Sequence, residues 1–425
     1  MRHFIALILL LINALAIAQT ANIRVMSYNL MYYRTSSAPC SHNQSAIQRD
    51  NALKDIIAYV NPTVLSVNEI GTSPSTASFV LNNVINTNGQ SNYAKALSTG
   101  NGSSLGNALF FDTTKVALHS QAILEKDAQN NNIVRVIDLY RLYYKDPKLK
   151  LGADTLYFTV ASAHLKAGNS SANRNDRDHA TKALMNHLRD NVADENVIMC
   201  GDFNIYNASE AAFQNLVNYG TSSERFNDPI NQMGSWNNNA NYAAIHTQST
   251  HASSSGCHSG GGLDDRFDFI LASNAIMGNT HGIKYKLNSY ATVGNDGNHF
   301  NQSINSGTNL SAPQAIINDL YDFSDHLPVI LELEIRLSDI GQNELWPTEK
   351  LMVGNPFKNE LNISNKSGER FQVSLFTFTG KQLNALTVLP NSEQQLPLEF
   401  LPKGTYLLIS QDDHGQQYRQ KLIKQ

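Results

Sequence analysis

The chain has 425 residues, 41% of them hydrophobic and 16% charged, with 32 basic against 36 acidic side chains and three cysteines. An apolar fraction of that size excludes a disordered chain, the cysteines are too few for a disulfide scaffold, and the length suits about two domains. A net charge of −4 gives no overall attraction to nucleic acid or anionic lipid, so a phosphate-bearing partner has to be held by a local site.

Arg2 and His3 precede an apolar run from Phe4 to Leu15, and Ala16-Ile17-Ala18 supplies a small-x-small cleavage site. Residues 1–18 therefore read as a secretory signal peptide, too short to span a bilayer. A mature, exported protein without a transmembrane segment, monomeric, is expected. Ile23 to Tyr28 alternates as a half-buried strand, and Ala46 to Val60 places Ile47, Leu53, Ile56, Ile57 and Val60 on one helical face. Further strands are expected at 63–67, 108–111, 133–144, 155–163, 196–200, 266–271 and 328–335, with helices at 174–192 and 209–219. The Asn-, Ser- and Gly-rich stretch from Trp236 to Gly262 has no sustained period and reads as a long, mobile surface loop. Around Pro347 the pattern dissolves, and 338–350 reads as a linker between a domain at 19–337 and a second at 351–425. Beyond it, short alternating strands at 360–364, 370–378, 398–400 and 405–410, without a helix signal, predict a small β-sandwich.

Polar residues recur where the strands end. Tyr28-Asn29 and Asn68-Glu69 close the first two, His164 ends the 155–163 strand, Gly201-Asp202-Phe203-Asn204 follows an apolar run, and Ser324-Asp325-His326 precedes the last strand. Asp268 lies inside an apolar strand, where an unpaired carboxylate is costly and demands a partner. Together these residues suit hydrolysis of a phosphate ester. Asn29, Glu69 and Asp325 offer hard oxygen ligands for Mg²⁺. His326 oriented by Asp268 has the composition of a general base. His164 can donate to a phosphoryl oxygen or the leaving group, and Asp202 with Asn204 can orient a water.

The order and wording of these motifs resemble the endonuclease/exonuclease/phosphatase superfamily over about residues 22 to 337: Ser27-Tyr28-Asn29, Glu69, Ser162-Ala163-His164-Leu165-Lys166, Gly201-Asp202-Phe203-Asn204, Arg266-Phe267-Asp268-Phe269-Ile270 and Ser324-Asp325-His326-Leu327-Pro328. The resemblance implies an α/β fold, a four-layered sandwich of two packed mixed β-sheets flanked by helices, and metal-dependent phosphoester hydrolysis. It also implies that Asn29, Glu69 and Asp325 hold the metal (Mg²⁺, with Mn²⁺ or Ca²⁺ as alternatives), that Asp202 and Asn204 position water, and that Asp268, His326 and His164 handle protons and charge. Which histidine is the acid stays open. Asn68 stands where the family often has Gln.

Asn355-Pro356-Phe357, the Leu375 to Gly380 strand-turn, Lys403 to Leu408 and the terminal Lys421 to Gln425 resemble the sorting domain of Bacteroidetes type IX secretion. That resemblance implies transport through the periplasm and outer membrane by that machinery, to the cell surface or the medium; a carbohydrate-binding or merely packing β-sandwich is the alternative. Nucleic acid is the leading substrate, with Lys166, Arg174, Arg177 and Arg266 as candidate phosphate contacts. A phosphatase acting on sugar or inositol phosphates, a sphingomyelinase-like lipid phosphodiesterase and a non-enzymatic surface binding module are the other readings. Cys200, within an apolar run, is expected to be a buried free thiol. Cys40 lies eleven residues after Asn29 and Cys257 eleven before Asp268. Both loops should rise from the site's rim, with the two cysteines either bridged over the cleft or unpaired.

Overall fold

The computed structural model describes residues 20–36, 38–87, 89, 91–99, 103, 105–147, 149, 154–192, 196–220, 225–337, 349–377, 380–415 and 417–425. The signal-peptide segment and most of the linker (338–348) lie outside the described residues. The chain divides into two compact units, a large one spanning Asn22 to Ile335 except for 150–153, and a smaller one holding the C-terminal strands.

The large unit runs β1 (Thr20–Tyr33), α1 (Ala46–Val60), β2 (Val64–Gly71), α2 (Pro74–Val80), β3 (Tyr93–Lys95), β4 (Leu105–Asp112), β5 (Val116–Lys126), β6 (Asn132–Tyr144) and β7 (Tyr157–His164). It continues through α3 (Ser171–Asn191), β8 (Val197–Asp202), α4 (Ala211–Val217), β9 (Phe226–Asn227), β10 (Asp268–Ser273), α5 (Asn274–Gly278), β11 (Ile283–Tyr285), β12 (Ala291–Thr292), α6 (Gln314–Phe323) and β13 (Val329–Arg336). One sheet has the order β11-β13-β1-β2-β4-β3, with β12 also on β13, and the other β5-β6-β7-β8-β10-β9. Both are mixed, because β1 and β2 are parallel in one and β7 and β8 in the other. Helices α1 and α6 bury Leu53, Ile56, Ile57, Ile317, Leu320 and Phe323 against the outer face of the first sheet. α3 and α4 bury Leu184, Leu188, Phe213 and Leu216 against the second. β2 packs on β7 and β8 between them. The result is helix, sheet, sheet, helix: four layers.

Side chains alternate along a strand, and this alternation places the site. Tyr28, Leu65, Val67, Ala163, Met199 and Phe269 join the two helix-side cores. Their neighbours Asn29, Ser66, Asn68, His164, Asp202 and Asp268 turn inward, where Ser66 Oγ meets Ser162 Oγ of the facing sheet at 2.7 Å.

Helix α1 coincides with its predicted span because its ends are signalled locally: Ser45 makes a full capping box with Gln48, and Asn61 closes it in the left-handed conformation. Ile47, however, is 71% exposed rather than part of the buried face. The 236–262 segment is not solvated along its whole length. Trp236 is fully buried against Phe213 and Phe269, and His246, Thr247 and Thr250 are buried too. Part of its polar composition serves internal hydrogen bonding, while Asn237, Asn238, Ser253, Ser254 and Ser255 stay exposed.

The small unit is a β-sandwich of two sheets, with β14 (Leu351–Val353), β15 (Glu360–Asn365), β16 (Phe371–Thr377), β17 (Gln382–Val388), β18 (Ser392–Pro397), β19 (Gly404–Asp412) and β20 (Gln417–Lys424) ordered β14-β15-β18 and β17-β16-β19-β20. Leu361, Ile363, Phe371, Val373, Leu375 and Leu408 fill its core. The strand expected at 398–400 is a turn instead, with Phe400 70% exposed. Among the described residues, no helix is long and apolar enough to cross a membrane.

Candidate active site

Three neighbouring strands set the first row of the site. Register pairs His164 of β7 with Asp202 of β8, and Asp202 with Asp268 of β10. All three point inward and are buried. Gly201 makes the close β7–β8 approach workable: it sits at φ +136°, and a Cβ there would collide with the Ala163 carbonyl. The facing sheet supplies the second row, Asn29 on β1 beside Asn68 on β2. Asn68 Oδ1 accepts from the Asp202 N–H across the interface at 3.2 Å. At Glu69 the register of β2 against β4 slips, and Glu69 adopts φ +57°. A left-handed backbone at a non-glycine residue is a strained conformation typical of functional positions, and here it brings the carboxylate to the centre.

There Glu69, His164 and Asp202 each offer a ligand atom within 4.8 Å of the others. His164 Nε2 lies 3.4 Å from Asp202 Oδ2 and 3.6 Å from Glu69 Oε1. Asn29 donates its amide to both carboxylates, at 3.0 Å to Asp202 and 3.2 Å to Glu69, while its Oδ1 accepts from the Met31 N–H. In this arrangement Asn29 orients the carboxylates. Asp325 stands outside the group of three but acts electrostatically on Glu69. Asn204, left-handed at φ +52°, bonds through its backbone N–H to Asp202 Oδ1 at 3.0 Å. His326 Nδ1 lies 2.7 Å from Asp268 Oδ2, and its Nε2 lies 3.9 Å from Asp202 Oδ2.

Burial raises the Asp202 carboxyl to about 7, with Asp268 and Glu69 adding to the rise and His326 opposing it. Burial and Asp325 likewise raise Glu69. For His326 burial acts downward, yet Asp268, Asp202 and Asp325 carry it well above its ordinary value. Burial, with Arg135 and His326, pushes His164 well below the usual histidine range, so it is neutral. Buried carboxylates that raise one another are short of positive charge, and an unpaired buried charge is expensive. The oxygen-rich donor set fits a divalent cation of the Mg²⁺ kind.

The expected phosphate contacts divide. Lys166 is half-buried beside His164. Arg174 is bonded to Asn169 near the start of α3. Arg177 and Arg266 contact no open surface. Arg177 is fully buried and bonds Glu210 at 2.6 Å and the Lys166 and Gly168 carbonyls. Arg266 is fully buried in a bidentate pair with Asp228, both bonds 2.8 Å. Both arginines hold the scaffold. The sequence reading missed Arg135 on β6, which bonds the Leu165 carbonyl at 2.9 Å and acts on Glu69, His164 and Asp202. A charged residue within a strand of apolar neighbours was the signal. With His164, Lys166 and His179, Arg135 lines a pocket of about 270 Å³.

Cys40 and Cys257 are joined by a disulfide, with Cα atoms 5.1 Å apart. Cys200 is a buried free thiol. The disulfide ties the loop after β1 to a hairpin, which is paired through Ser249 N–H to the Gly262 carbonyl and Gly262 N–H to the His251 carbonyl, each 2.8 Å. From this hairpin the Ser259 N–H donates to Asp325 Oδ2 at 3.2 Å.

Residues 354–425 match the family described as the secretion system C-terminal sorting domain. A comparison with curated protein sequences gives no match. Among solved structures, the chain is similar to the human Nocturnin catalytic domain with bound sulfate anion, at 16% identity and TM-score 0.46, covering 74% of this chain and 96% of that one. It is also similar to D. rerio TDP2 complexed with single strand DNA product, at 13% identity and TM-score 0.46, covering 74% and 99%. A third is an endonuclease/exonuclease/phosphatase family protein from Bacteroides thetaiotaomicron, at 13% identity and TM-score 0.44, covering 77% and 99%.

Proposed function

We propose that the chain is an exported, divalent-metal-dependent phosphoesterase that cleaves phosphodiester bonds of nucleic acid by in-line attack of water. One observation carries this reading: a buried histidine, bonded on one ring nitrogen to a buried aspartate, faces a cluster of carboxylates that need a cation. The Asp268–His326 pair would take the proton of the attacking water, and Asp202 with Asn204 would orient that water. Neutral His164 would donate from Nε2 to a phosphoryl oxygen. Glu69, with Asp202 and Asp325 around it and Asn29 orienting the carboxylates, would hold the cation, which when bound would neutralise charge developing on the phosphoryl group.

Arg135 and Lys166 beside the centre suit a flanking backbone phosphate. The size of their pocket also suits a sugar or inositol phosphate, which keeps the phosphatase reading as second. With Trp236 buried, the loop does not present the aromatic that a lipid phosphodiesterase would insert at a membrane interface. The experiment is a panel of double-stranded DNA, RNA, sphingomyelin and phosphomonoesters, each with and without chelator. Fastest chelator-sensitive cleavage of a polynucleotide is expected; fastest turnover of a phosphomonoester would replace the nuclease reading with the second. Glu69→Ala should raise the Mg²⁺ concentration for half-maximal activity by at least about 10-fold, read from a metal titration.

Export would use residues 1–18 for passage to the periplasm and 351–425 for type IX transport across the outer membrane, a role supported by the sorting-domain match. Deleting 351–425 should leave hydrolysis by the purified protein unchanged and retain the enzyme in the periplasm of its host. Loss of activity or solubility on that deletion would favour a packing role.

A further inference from the structure

We infer that Gln248 is a positioning residue of this centre, tying Asp325 and His326 together through one amide nitrogen. Gln248 Nε2 lies 2.8 Å from His326 Nε2 and donates to Asp325 Oδ2 at 3.3 Å. In the neutral ring, with the Nδ1 proton given to Asp268 at 2.7 Å, Nε2 carries the lone pair. The two amide protons of Gln248 then have two acceptors, one on each side, and the ring cannot exchange its nitrogens without losing both bonds.

The backbone makes this contact rigid. The Gln248 N–H donates to the Asp265 carbonyl at 3.0 Å, and the Asp264 and Asp265 N–H groups both donate to the Gln248 carbonyl at 2.8 Å. On either side, the Leu327 N–H bonds the Thr247 carbonyl at 2.7 Å and the Thr250 N–H bonds the Asp325 carbonyl at 3.1 Å. Thr247 Oγ1 accepts from the Phe267 and Asp268 N–H groups, both at 3.0 Å. Gln248 is thus laced to the segments bearing Asp268, Asp325 and His326, and Ser259, from the hairpin that the disulfide tethers to the loop after β1, adds a second donor to Asp325. In the neutral ring the side chain holds the Nε2 lone pair toward the carboxylate cluster, the form in which His326 takes the proton of the attacking water.

The inference rests on the phosphoesterase reading for its kinetic consequence but not for its geometry, and its test has both arms. In full-length protein, Gln248→Ala and the length-matched Gln248→Met should each lower kcat on the best polynucleotide by about 10- to 100-fold, the usual cost of removing a residue that orients a catalytic group, with KM unchanged. In ¹⁵N-histidine-labelled protein without substrate, at a pH above the His326 titration so that the ring is neutral, the His326 ring signals, identified by their loss in His326→Ala, should report an Nδ1–H tautomer. In Gln248→Met the Nε2 signal alone should shift. Unchanged His326 ring signals, or a raised KM with intact kcat, would overturn the positioning role. Wild-type protein inactive on every ester, with the Nε2 shift still present, would overturn the phosphoesterase reading and leave the geometry standing.

Discussion

Replacing His326 by Ala is expected to lower turnover about 10²–10⁴-fold, the range contributed by general acid–base catalysis, with the fold intact. The imidazole is buried between Asp268 and Asp202, and its loss leaves the buried Asp268 carboxylate without its partner, so some stability is lost along with the chemistry. Asp268→Asn should fall in the same range for a different reason. Asp268 Oδ2 takes the Nδ1 proton of His326; an amide that turns its NH₂ toward the ring would select the opposite tautomer and remove the lone pair from the side facing the cluster. Steady-state kinetics on a defined oligonucleotide, with the melting temperature measured in parallel, separates lost chemistry from lost structure. His326→Ala with near wild-type kcat would mean that another group takes the proton.

Arg266→Ala should destabilise the large unit by about 3–5 kcal/mol, the usual cost of breaking a buried ion pair and leaving one charge uncompensated. Both partners are inaccessible, and the guanidinium also lies over the Trp236, Phe269 and Tyr290 rings. For Asp228, burial acts upward but Arg266 outweighs it and holds the carboxyl below its ordinary range. A depressed folded-state value means that the pair's stabilisation is present above the unfolded carboxyl value of about 3.9 and is lost as pH falls through the folded one. Chemical denaturation at neutral pH and again near pH 3 should show the variant's deficit shrinking on acidification. A variant of undiminished stability with a raised KM would return Arg266 to the role of a phosphate contact.

Arg266 and Arg177 illustrate what a linear reading of the chain can and cannot reach. Their partners, Asp228 and Glu210, lie 38 and 33 residues away, so nothing local distinguishes a buried scaffold arginine from one facing a substrate. The catalytic set was legible for the opposite reason. Asn29, His164, Asp202 and Asp268 each interrupt an apolar strand at or near its end, and strand alternation turns them to one side, whereas Glu69, next to the inward Asn68, reaches that side only through its left-handed backbone. What joins them, the β7–β8–β10 register and the slip at Glu69, is set by pairing between distant strands. Helix α1 carries its own start and stop signals. α6 was missed because its N-cap position is Pro313 without a side-chain cap, and β5 because its side chains are mostly half-buried or exposed at the edge of its sheet. The 236–262 segment misled most, since Asn, Ser and Gly signal a solvated loop by composition, whereas Thr247 and Thr250 within it bond the backbone around Asp325 and His326.

The most direct test of the account is cleavage of double-stranded DNA by the purified mature chain after removal of bound metal, followed by re-addition of Mg²⁺. The account predicts no cleavage without metal, restored cleavage with Mg²⁺ in the wild type, and no comparable restoration in His326→Ala. Cleavage that persists in excess chelator, or that Mg²⁺ restores equally in the wild type and in His326→Ala, would contradict it.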